Sequence, residues 1–346
     1  MDDRELKRVF TQVRPTPEQE QAMLDRLLRK QKGVKPVSRM KKITALGAAA
    51  ALLLMACAFT VATGLDQRFL AYFRGTEEDA QQVSGGVVGV GQSFQYENGW
   101  TIHIEQVLAD RYSLAVLTEV VAPEGTVLDG EAYYFELGME LPPSARSQAV
   151  SSGWGYGPVI LEDGNPEDNR LTFLQTKGAR ELGAKDLLGQ SVTLTPMWLL
   201  ESGGKKLDVD FSMEGQEQSC TVALPEQDGG RTYTLSAPIQ VDRETMTLSE
   251  LYLSPISAAF VLRGQPGEER TLEESDLTRI EEDAVLHLAD GSEVPIRRMV
   301  SQTVDGETGA VHSVFQTDTI LKPEDVVSIT LLGQTFSLEG LAPAAD

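Results

Sequence analysis

The chain has 346 residues, and its 30 Lys and Arg residues against 52 Asp and Glu residues give a formal net charge of −22. This excess of acid argues against a role on nucleic acid, because phosphate contacts require Lys and Arg. A hydrophobic content of 41% also argues against global disorder. Two Cys and three His leave little material for a metal cluster or a disulfide framework, and we assign no metal and no cofactor.

The first 31 residues are predicted to form two short amphipathic helices. Arg14-Pro15 ends the first helix, and a capping box that joins Thr16 and Gln19 begins the second. Apolar residues recur at helical spacing in both. The two faces consist of Leu6, Val9, Phe10 and Val13 in the first helix and of Met23, Leu24, Leu27 and Leu28 in the second.

Such short helices need something to cover their apolar faces, since a segment of this size rarely forms a stable core by itself. The candidates are each other, a second copy of the chain, the inner membrane surface and a cytosolic protein. We predict a partner-binding helical hairpin at these eight positions. An amphipathic hairpin without a partner is the alternative.

Residues 43–65 are predicted to form a transmembrane helix. This segment has 23 residues without a charge, and at 1.5 Å per residue it would reach about 34 Å. Arg39, Lys41 and Lys42 precede it and Asp66 follows it, so the positive-inside rule places residues 1–42 in the cytosol and the C-terminal part outside the cell.

Two cleaved forms compete with a single-pass anchor. A secretory signal is disfavoured, because the polar region of 42 residues before the apolar segment is too long for one. A lipoprotein signal could begin at Met40 and end at the lipobox-like run 54–57. Against it, Met55 is unusual in a lipobox and the apolar run continues beyond Cys57.

Charge divides at the predicted span. Residues 1–42 hold 12 basic and 6 acidic side chains, so the strong acidity belongs to the remainder of the chain. The segment 32–42 contains only basic charges, which suits contact with anionic inner-leaflet lipids. Residues 1–31 are close to neutral, which argues against a DNA-binding arm.

Beyond the span, the chain is predicted to be mainly β. Residues 66–91 form a linker with a short helix, and after it Trp100, Ile102 and Ile104 alternate with polar residues up to a turn at Asp110-Arg111. Dipeptides that favour hairpins recur between apolar runs. They are Asn98-Gly99, Asp129-Gly130, Asp290-Gly291 and Asp305-Gly306.

The β region is predicted to hold two β-sandwich-like domains, 92–224 and 231–346, because residues 225–230 are the best linker candidate. Their sequences share a rhythm. Residues 101–117 resemble 247–262, with 106–109 matching 251–254. The pattern alone does not establish a duplication.

Enzyme signatures are missing: there is no G-x-S-x-G, no H-E-x-x-H and no P-loop. We therefore predict no catalytic residues. The run 153–157 could present two aromatic side chains to an unidentified extracellular ligand, although a packed edge strand is the commoner use of such residues.

The chain resembles membrane-anchored anti-sigma-factor-like proteins of Gram-positive bacteria, which carry extracellular β-domains of uncharacterised function. The opening Arg4 to Phe10, the Thr16-Pro17-Glu18 helix start, the run 23–28, the single span and the strand pair from Trp100 to Val121 carry the resemblance. It implies that the tail binds an extracytoplasmic-function sigma factor while the exterior senses an envelope signal. The tail lacks the Cys and His of zinc-binding anti-sigma domains.

Two other functions remain open from the sequence. The chain could be a membrane-anchored surface module that binds or supports something and has no sigma-factor partner, or an anchored enzyme. A specific partner for the hairpin would distinguish the regulator from the anchored module, because an ordinary anchor needs none.

Overall fold

The computed structural model describes ten stretches of the chain. They are residues 65–130, 132–146, 158–161, 168–202, 207–213, 217–241, 244–264, 283–296, 298–305 and 308–344. All of them belong to one compact unit, Ala56–Asp346. The predicted tail, 1–42, lies outside these stretches, and of the predicted span only Leu65 is described. None of the helices in these stretches is long and apolar enough to cross a bilayer.

Within the described stretches, the first part of this unit contains two short α-helices, α1 (Gln67–Tyr72) and α2 (Ala80–Val83), then a 3-10 turn (Ser84–Gly86) and nine strands. The strands are β1 (Val87–Gln95), β2 (Thr101–Ala109), β3 (Ser113–Val121), β4 (Ala132–Glu140), β5 (Val159–Leu161), β6 (Arg170–Gly178), β7 (Ser191–Ser202), β8 (Asp208–Asp210) and β9 (Cys220–Ala223). Sheet I has the order β1-β2-β3-β6-β5. Sheet II has the order β4-β7-β8, and β9 also pairs with β7.

Sheets I and II share one hydrophobic core. Alternate residues of their strands point inwards, and Ile102 and Phe173 of sheet I join Phe135 and Leu199 of sheet II in one buried cluster. The rings of Phe135 and Phe173 lie 5.4 Å apart across the core. Each such side chain stabilises the fold by about 1.5–3 kcal/mol when it leaves water, so the core holds the two sheets together.

In the described residues of its second part, the unit contains nine further strands and a 3-10 turn (Pro323–Asp325). They are β10 (Arg231–Val241), β11 (Glu244–Leu253), β12 (Ser257–Arg263), β13 (Val285–Leu288), β14 (Glu293–Pro295), β15 (Arg298–Val304), β16 (Val311–Gln316), β17 (Val326–Leu331) and β18 (Gln334–Ser337). Sheet III has the order β10-β11-β12-β16-β15 and sheet IV the order β14-β13-β17-β18. A second core lies between them, where Phe260 stacks on Phe315 at 5.4 Å.

The prediction of a mainly β chain is confirmed, and every sheet is antiparallel. Asn98-Gly99 joins β1 to β2 and Asp290-Gly291 joins β13 to β14 as predicted. Both glycines have a φ of 85°, a backbone region that other residues rarely adopt. Asp305 likewise follows β15 and precedes its partner β16.

The hairpin predicted at Asp129-Gly130 is wrong. Strand β3 pairs with β6 and strand β4 pairs with β7, so the chain crosses from sheet I to sheet II between Val121 and Ala132. The dipeptide favours a turn, but the burial of long-range partners decides which strands pair. In addition, β1 begins at Val87, so sheet I starts within the segment predicted to be linker.

Sheets I and III repeat one another. In both sheets, the first three strands are consecutive in the chain and form a meander. The fourth strand comes from later in the chain, β6 in sheet I and β16 in sheet III, and the strand that precedes it in sequence, β5 or β15, lies at the edge. The second strands share a bulge, with register shifts between Ile104 and Gln106 in β2 and between Leu248 and Glu250 in β11. The sequence rhythm thus has a structural counterpart.

Candidate functional site

Two equivalent hairpin turns meet between the first sheet pair, sheets I and II, and the second sheet pair, sheets III and IV. We call this region the junction. The β2–β3 turn begins at Asp110, whose backbone N–H donates to Ser113 O at 2.9 Å. The β11–β12 turn begins at Ser254, whose N–H donates to Ser257 O at 2.8 Å. Hydrogen bonds thus align Asp110 with Ser254, one residue away from the match of Ala109 with Ser254 that the sequence suggests.

The first residue of each turn also caps the turn with its side chain. Asp110 Oδ1 accepts from the backbone N–H groups of Tyr112 at 2.9 Å and Ser113 at 2.7 Å. Ser254 Oγ accepts from those of Ile256 at 3.2 Å and Ser257 at 2.9 Å. Short polar side chains favour such turns because they satisfy backbone donors locally.

The carboxyl group of Asp110 connects the two turns. Its Oδ2 accepts from the hydroxyls of Ser254 and Ser257, both at 2.6 Å. The side chain is 2% exposed, and burial raises the pKa of Asp110 to about 6, against the lowering effect of both serine hydroxyls. Asp228 also raises this pKa through its charge.

A second carboxylate, Asp228, lies in the segment between β9 and β10. Its Oδ2 accepts from Arg111 N at 2.7 Å and from the Tyr252 hydroxyl, while its Oδ1 accepts from Gly230 N at 2.8 Å. Burial and the charges of Asp110 and Asp228 raise the pKa of Tyr252 well above its ordinary value. Tyr252 therefore stays a hydrogen-bond donor to the carboxylate.

Tyr112 and Ile256 occupy the same position in their turns, and each packs against the opposite sheet pair. The Tyr112 ring meets the Tyr252 ring edge to face at 4.9 Å, and its hydroxyl donates to Glu250 Oε1 at 3.1 Å. Ile256 belongs to a cluster on the outer face of sheet I that includes Leu108 and Ala115. The junction therefore has approximate twofold symmetry in its contacts.

The rest of that outer face is covered by residues 65–86, the α1–α2 segment. Its buried apolar side chains join the same cluster as Ile256. They are Leu65, Phe69, Leu70, Phe73, Ala80 and Val83. Asp66 caps α1 by accepting from Arg68 N at 2.8 Å. Both faces of β3 are buried as a result, which explains its unbroken run of buried residues from Ser113 to Thr118.

The α1–α2 segment also contacts the second sheet pair. The Tyr72 hydroxyl donates to Gln316 Oε1 at 2.7 Å and accepts from the Arg298 guanidinium, which also lies 5.7 Å from the Tyr72 ring centre. Gln82, Val83 and Gly86 line a small open cleft. The other residues that line it are Leu108, Ala109, Asp110, Asp228, Gly229, Pro255 and Ile256.

A further polar contact lies just after the C-terminal end of β6. Arg180 Nη2 approaches His312 Nε2 at 3.4 Å. Burial and the charge of Arg180 lower the pKa of His312 to about 4, against the opposite effect of Asp305. His312 is therefore neutral at physiological pH and joins β16 to the first sheet pair as an acceptor.

The junction holds a buried carboxyl group that can take up a proton, because the pKa of Asp110 is raised to about 6. No group of three metal-ligating side chains occurs within the described stretches. The eight predicted partner-binding positions, Leu6 to Leu28, and the aromatic run 153–157 lie outside those stretches. The sequence identified Asp110 only as a turn residue and Asp228 only as part of a linker.

One signal in the sequence could have identified the junction. Asp110 and Ser113 enclose the turn of one hairpin, and Ser254 and Ser257 enclose the turn of the other. Matching polar pairs at matching hairpin ends indicate side chains that cap their own turns and can face each other if the hairpins are repeats.

Comparisons with known proteins add little. No protein-family model matches the chain, and no curated protein matches it. Among solved structures, the crystal structure of the conserved domain protein from Bacillus anthracis is similar over 70% of this chain and 75% of that chain, with 9% identity and a TM-score of 0.46. A likeness at this level supports no conclusion on fold or function.

Proposed function

We propose that the chain is a single-pass membrane regulator whose cytosolic tail, residues 1–42, sequesters an extracytoplasmic-function sigma factor. Residues 43–64 cross the cell membrane, and the α1–α2 segment, residues 65–86, follows the span and packs on the outer face of sheet I. Two β-sandwich-like parts, sheets I and II from Val87 onwards and sheets III and IV from Arg231 onwards, sense an envelope signal. The protein has no catalytic activity in this proposal.

The charge distribution supports the topology. Basic residues just before the apolar segment favour a cytosolic N-terminus, and the all-basic segment 32–42 can contact anionic inner-leaflet lipids. The two apolar helix faces support a protein partner, because a groove on another protein can cover them and order the helices in the same step.

The observation that carries the proposal is the docking of the α1–α2 segment. This segment directly follows the proposed span, and Phe69 packs on sheet I while Tyr72 bonds to Gln316 of sheet III. A ligand that changes the arrangement of the junction would therefore also change the position of the α1–α2 segment, which is joined directly to the proposed span. Such coupling requires the ligand to bind one arrangement of the junction more tightly than the other.

The topology is tested by adding protease to intact protoplasts. Digestion should remove the β part and leave a membrane-protected N-terminal fragment. A mature protein that begins at Cys57 and carries a lipid would contradict the single-pass proposal.

The partner is tested by isolating the full-length chain from detergent-solubilised membranes and identifying co-purifying proteins. Phe10→Asp/Leu27→Asp should abolish capture of a sigma factor. Thr11→Asp/Ala22→Asp is the matched control, because it adds the same charge on the opposite sides of the two predicted helices. If the wild-type chain retrieves no sigma factor and the double substitution leaves target transcription unchanged, the anchored surface module becomes the better account.

A further inference from the structure

The outer face of sheet II carries a regular group of aromatic, apolar and acidic side chains. Tyr134 of β4 lies opposite Leu200 of β7, and Leu200 lies opposite Asp208 of β8. One step along, Glu136, Trp198 and Asp210 form a second row. We call these six residues the sheet II platform.

The platform faces away from the core. Phe135, Leu199 and Val209 alternate with its members along the three strands, and all three belong to the core between sheets I and II. Because successive side chains of a strand point to opposite faces, the platform side chains point outwards. Tyr134 is 39% exposed and Leu200 is 37% exposed.

Tyr134 and Leu200 are not isolated exposed residues. Across the described stretches, only five large hydrophobic side chains are classed as exposed, and Tyr134 and Leu200 are directly opposite each other. Met213, 56% exposed, follows three residues after Asp210. Apolar side chains that are exposed side by side form a candidate interaction surface, whereas single exposed apolar residues need no explanation.

The platform is also acidic. Three of its six side chains are carboxylates, and none is basic. The Tyr134 hydroxyl donates to Glu136 Oε2 at 2.5 Å, which fixes the ring beside the carboxylate. Ser212 donates to Asp210 Oδ1 from its backbone N–H at 2.8 Å and from its hydroxyl at 2.7 Å, which holds this carboxylate in place.

We propose that the sheet II platform binds an extended polypeptide segment rich in lysine and arginine. The stems of these side chains can lie along Leu200 and the aromatic rings, while their charged ends reach the carboxylates and the ring faces. This inference does not depend on a sigma factor, because it concerns only the surface of sheet II.

The spacing of the two rows suits such a partner. Side chains that share one face of an extended chain lie about 6.5–7 Å apart, and the same distance separates i and i+2 residues on the strands of the platform. Alternate residues of the bound segment can thus meet successive rows. An anionic polymer would be repelled by the three carboxylates, whereas a cationic segment gains both charge attraction and charge-assisted hydrogen bonds from them.

The proposal is tested with the full-length protein in a non-ionic detergent. The probe is a fluorescent peptide of about ten alternating Lys and Thr residues, and binding is followed by anisotropy at about 0.15 M salt. Trp198→Thr/Leu200→Thr and Asp208→Asn/Asp210→Asn should each weaken binding about tenfold. Glu77→Gln/Glu78→Gln is the matched control, because it also removes two exposed carboxylates but lies outside the platform.

Retention of tight binding by the control together with loss by both platform variants supports the proposal. Equal weakening by all three variants would overturn it, since general acidity would then explain the binding. Binding of a neutral N-acetylglucosamine oligomer that requires Trp198 but not Asp208 and Asp210 would overturn it in favour of a saccharide site. The Asn pair changes only exposed side chains, so it remains informative if the Thr pair unfolds, as circular dichroism would reveal.

Discussion

Asp110 and Ser254 begin equivalent turns in two repeated sheets, and the hydroxyl of Ser254 donates to the carboxyl group of Asp110 at 2.6 Å across the junction. Each side chain caps its own turn and contacts the other turn at the same time. The two repeated sheets therefore each provide one of the two residues that form this contact. The two positions differ in chemistry, because one carries a carboxyl group and the other carries a hydroxyl.

This asymmetry predicts a pH dependence. Burial raises the pKa of Asp110 from 3.8 to about 6, so the folded protein takes up this proton at a higher pH than the unfolded chain. The stabilisation from protonation is fully present below about pH 4 and is lost as the pH rises through about 6. At about 1.4 kcal/mol per pKa unit, it amounts to about 3 kcal/mol.

We expect Asp110→Asn to gain stability relative to wild type as the pH rises from about 4 to about 7. The free energy of unfolding of residues 65–346, measured by denaturant titration, checks this. Asp290→Asn is the control, because hydrogen bonds from Ser292 lower the pKa of Asp290 and give the opposite slope. A difference between Asp110→Asn and wild type that does not change with pH would contradict the expectation.

His312 should act in the opposite direction over nearly the same pH range. Its pKa is lowered from 6.5 to about 4, so the unfolded chain takes up this proton at a higher pH than the folded protein. Its contribution to stability is fully present above about pH 6.5 and is lost as the pH falls through about 4. The contribution is about 3 kcal/mol.

His312→Gln should remove this acid-side loss, and the imidazole of the wild-type protein should titrate near pH 4 by NMR. The groups that set the shift face His312 from several elements: Arg180, Arg263 and Asp305. Titration near the ordinary value of an exposed histidine would mean that His312 is not buried beside Arg180 in solution.

The sequence predicted local structure better than long-range pairing. Alternation identified β2, and Asn98-Gly99 identified the turn before it. The same type of signal failed at Asp129-Gly130, because nothing local shows that β3 pairs with β6. The burial of both faces of β3 was not predicted either: Leu114 and Val116 face the core, while Ala115 and Leu117 face the α1–α2 segment.

The sequence indicated the junction only through the matching polar pairs at the two turns, and the contact between them could not be predicted for a physical reason. Asp110 and Ser254 are 144 positions apart, and their contact depends on how two complete sheet pairs pack. A turn residue such as Asp110 looks the same in sequence whether its carboxylate faces solvent or a partner turn. The sheet II platform was missed similarly, because Tyr134, Leu200 and Asp208 become neighbours only through strand register.

The hydroxyl of Tyr252 is expected to matter because it donates to a partly buried carboxylate. Tyr252→Phe leaves Asp228 Oδ2 with only the Arg111 N–H, and we expect a loss of about 1–3 kcal/mol in the free energy of unfolding. Tyr96→Phe is the control, because the buried Tyr96 hydroxyl has no hydrogen-bond partner in the described structure.

Tyr96→Phe should leave the free energy of unfolding unchanged within about 0.5 kcal/mol, or raise it slightly. Denaturant titration of both variants measures the contrast. Equal effects of the two substitutions would show that the Asp228 contact contributes nothing.

Two adjacent glycines in the segment before β10 should respond differently to alanine. A β-carbon at Gly230 would overlap the ring and hydroxyl of Tyr252, whereas one at Gly229 would lie 3.4 Å from Pro255 Cγ, an ordinary contact. Gly230→Ala should therefore destabilise the junction by about 1–3 kcal/mol, the cost of overpacking. Gly229→Ala should be tolerated, and thermal unfolding compares them. Similar melting temperatures for both variants would mean that the Tyr252 ring has room to move.

The docking of the α1–α2 segment yields the last prediction. Phe69 is fully buried against sheet I, and its replacement by alanine should cost about 3–5 kcal/mol of packing. The α1–α2 segment precedes the first strand and packs on the outer face of sheet I. Part of the lost stability should therefore appear as local opening of α1 without unfolding of the sheets. Arg74, just after α1, then becomes a trypsin site.

We expect Phe69→Ala to raise the rate of trypsin cleavage after Arg74 at least about tenfold. Gln67→Ala, on the exposed side of α1, should leave the rate unchanged. Hydrogen exchange in β11 and β12 should stay slow in both variants, because their hydrogen bonds do not depend on Phe69. Unchanged cleavage in Phe69→Ala would show that the segment is held by Tyr72 and its polar partners instead, while simultaneous loss of protection in β11 would show that segment and sheets open as one unit.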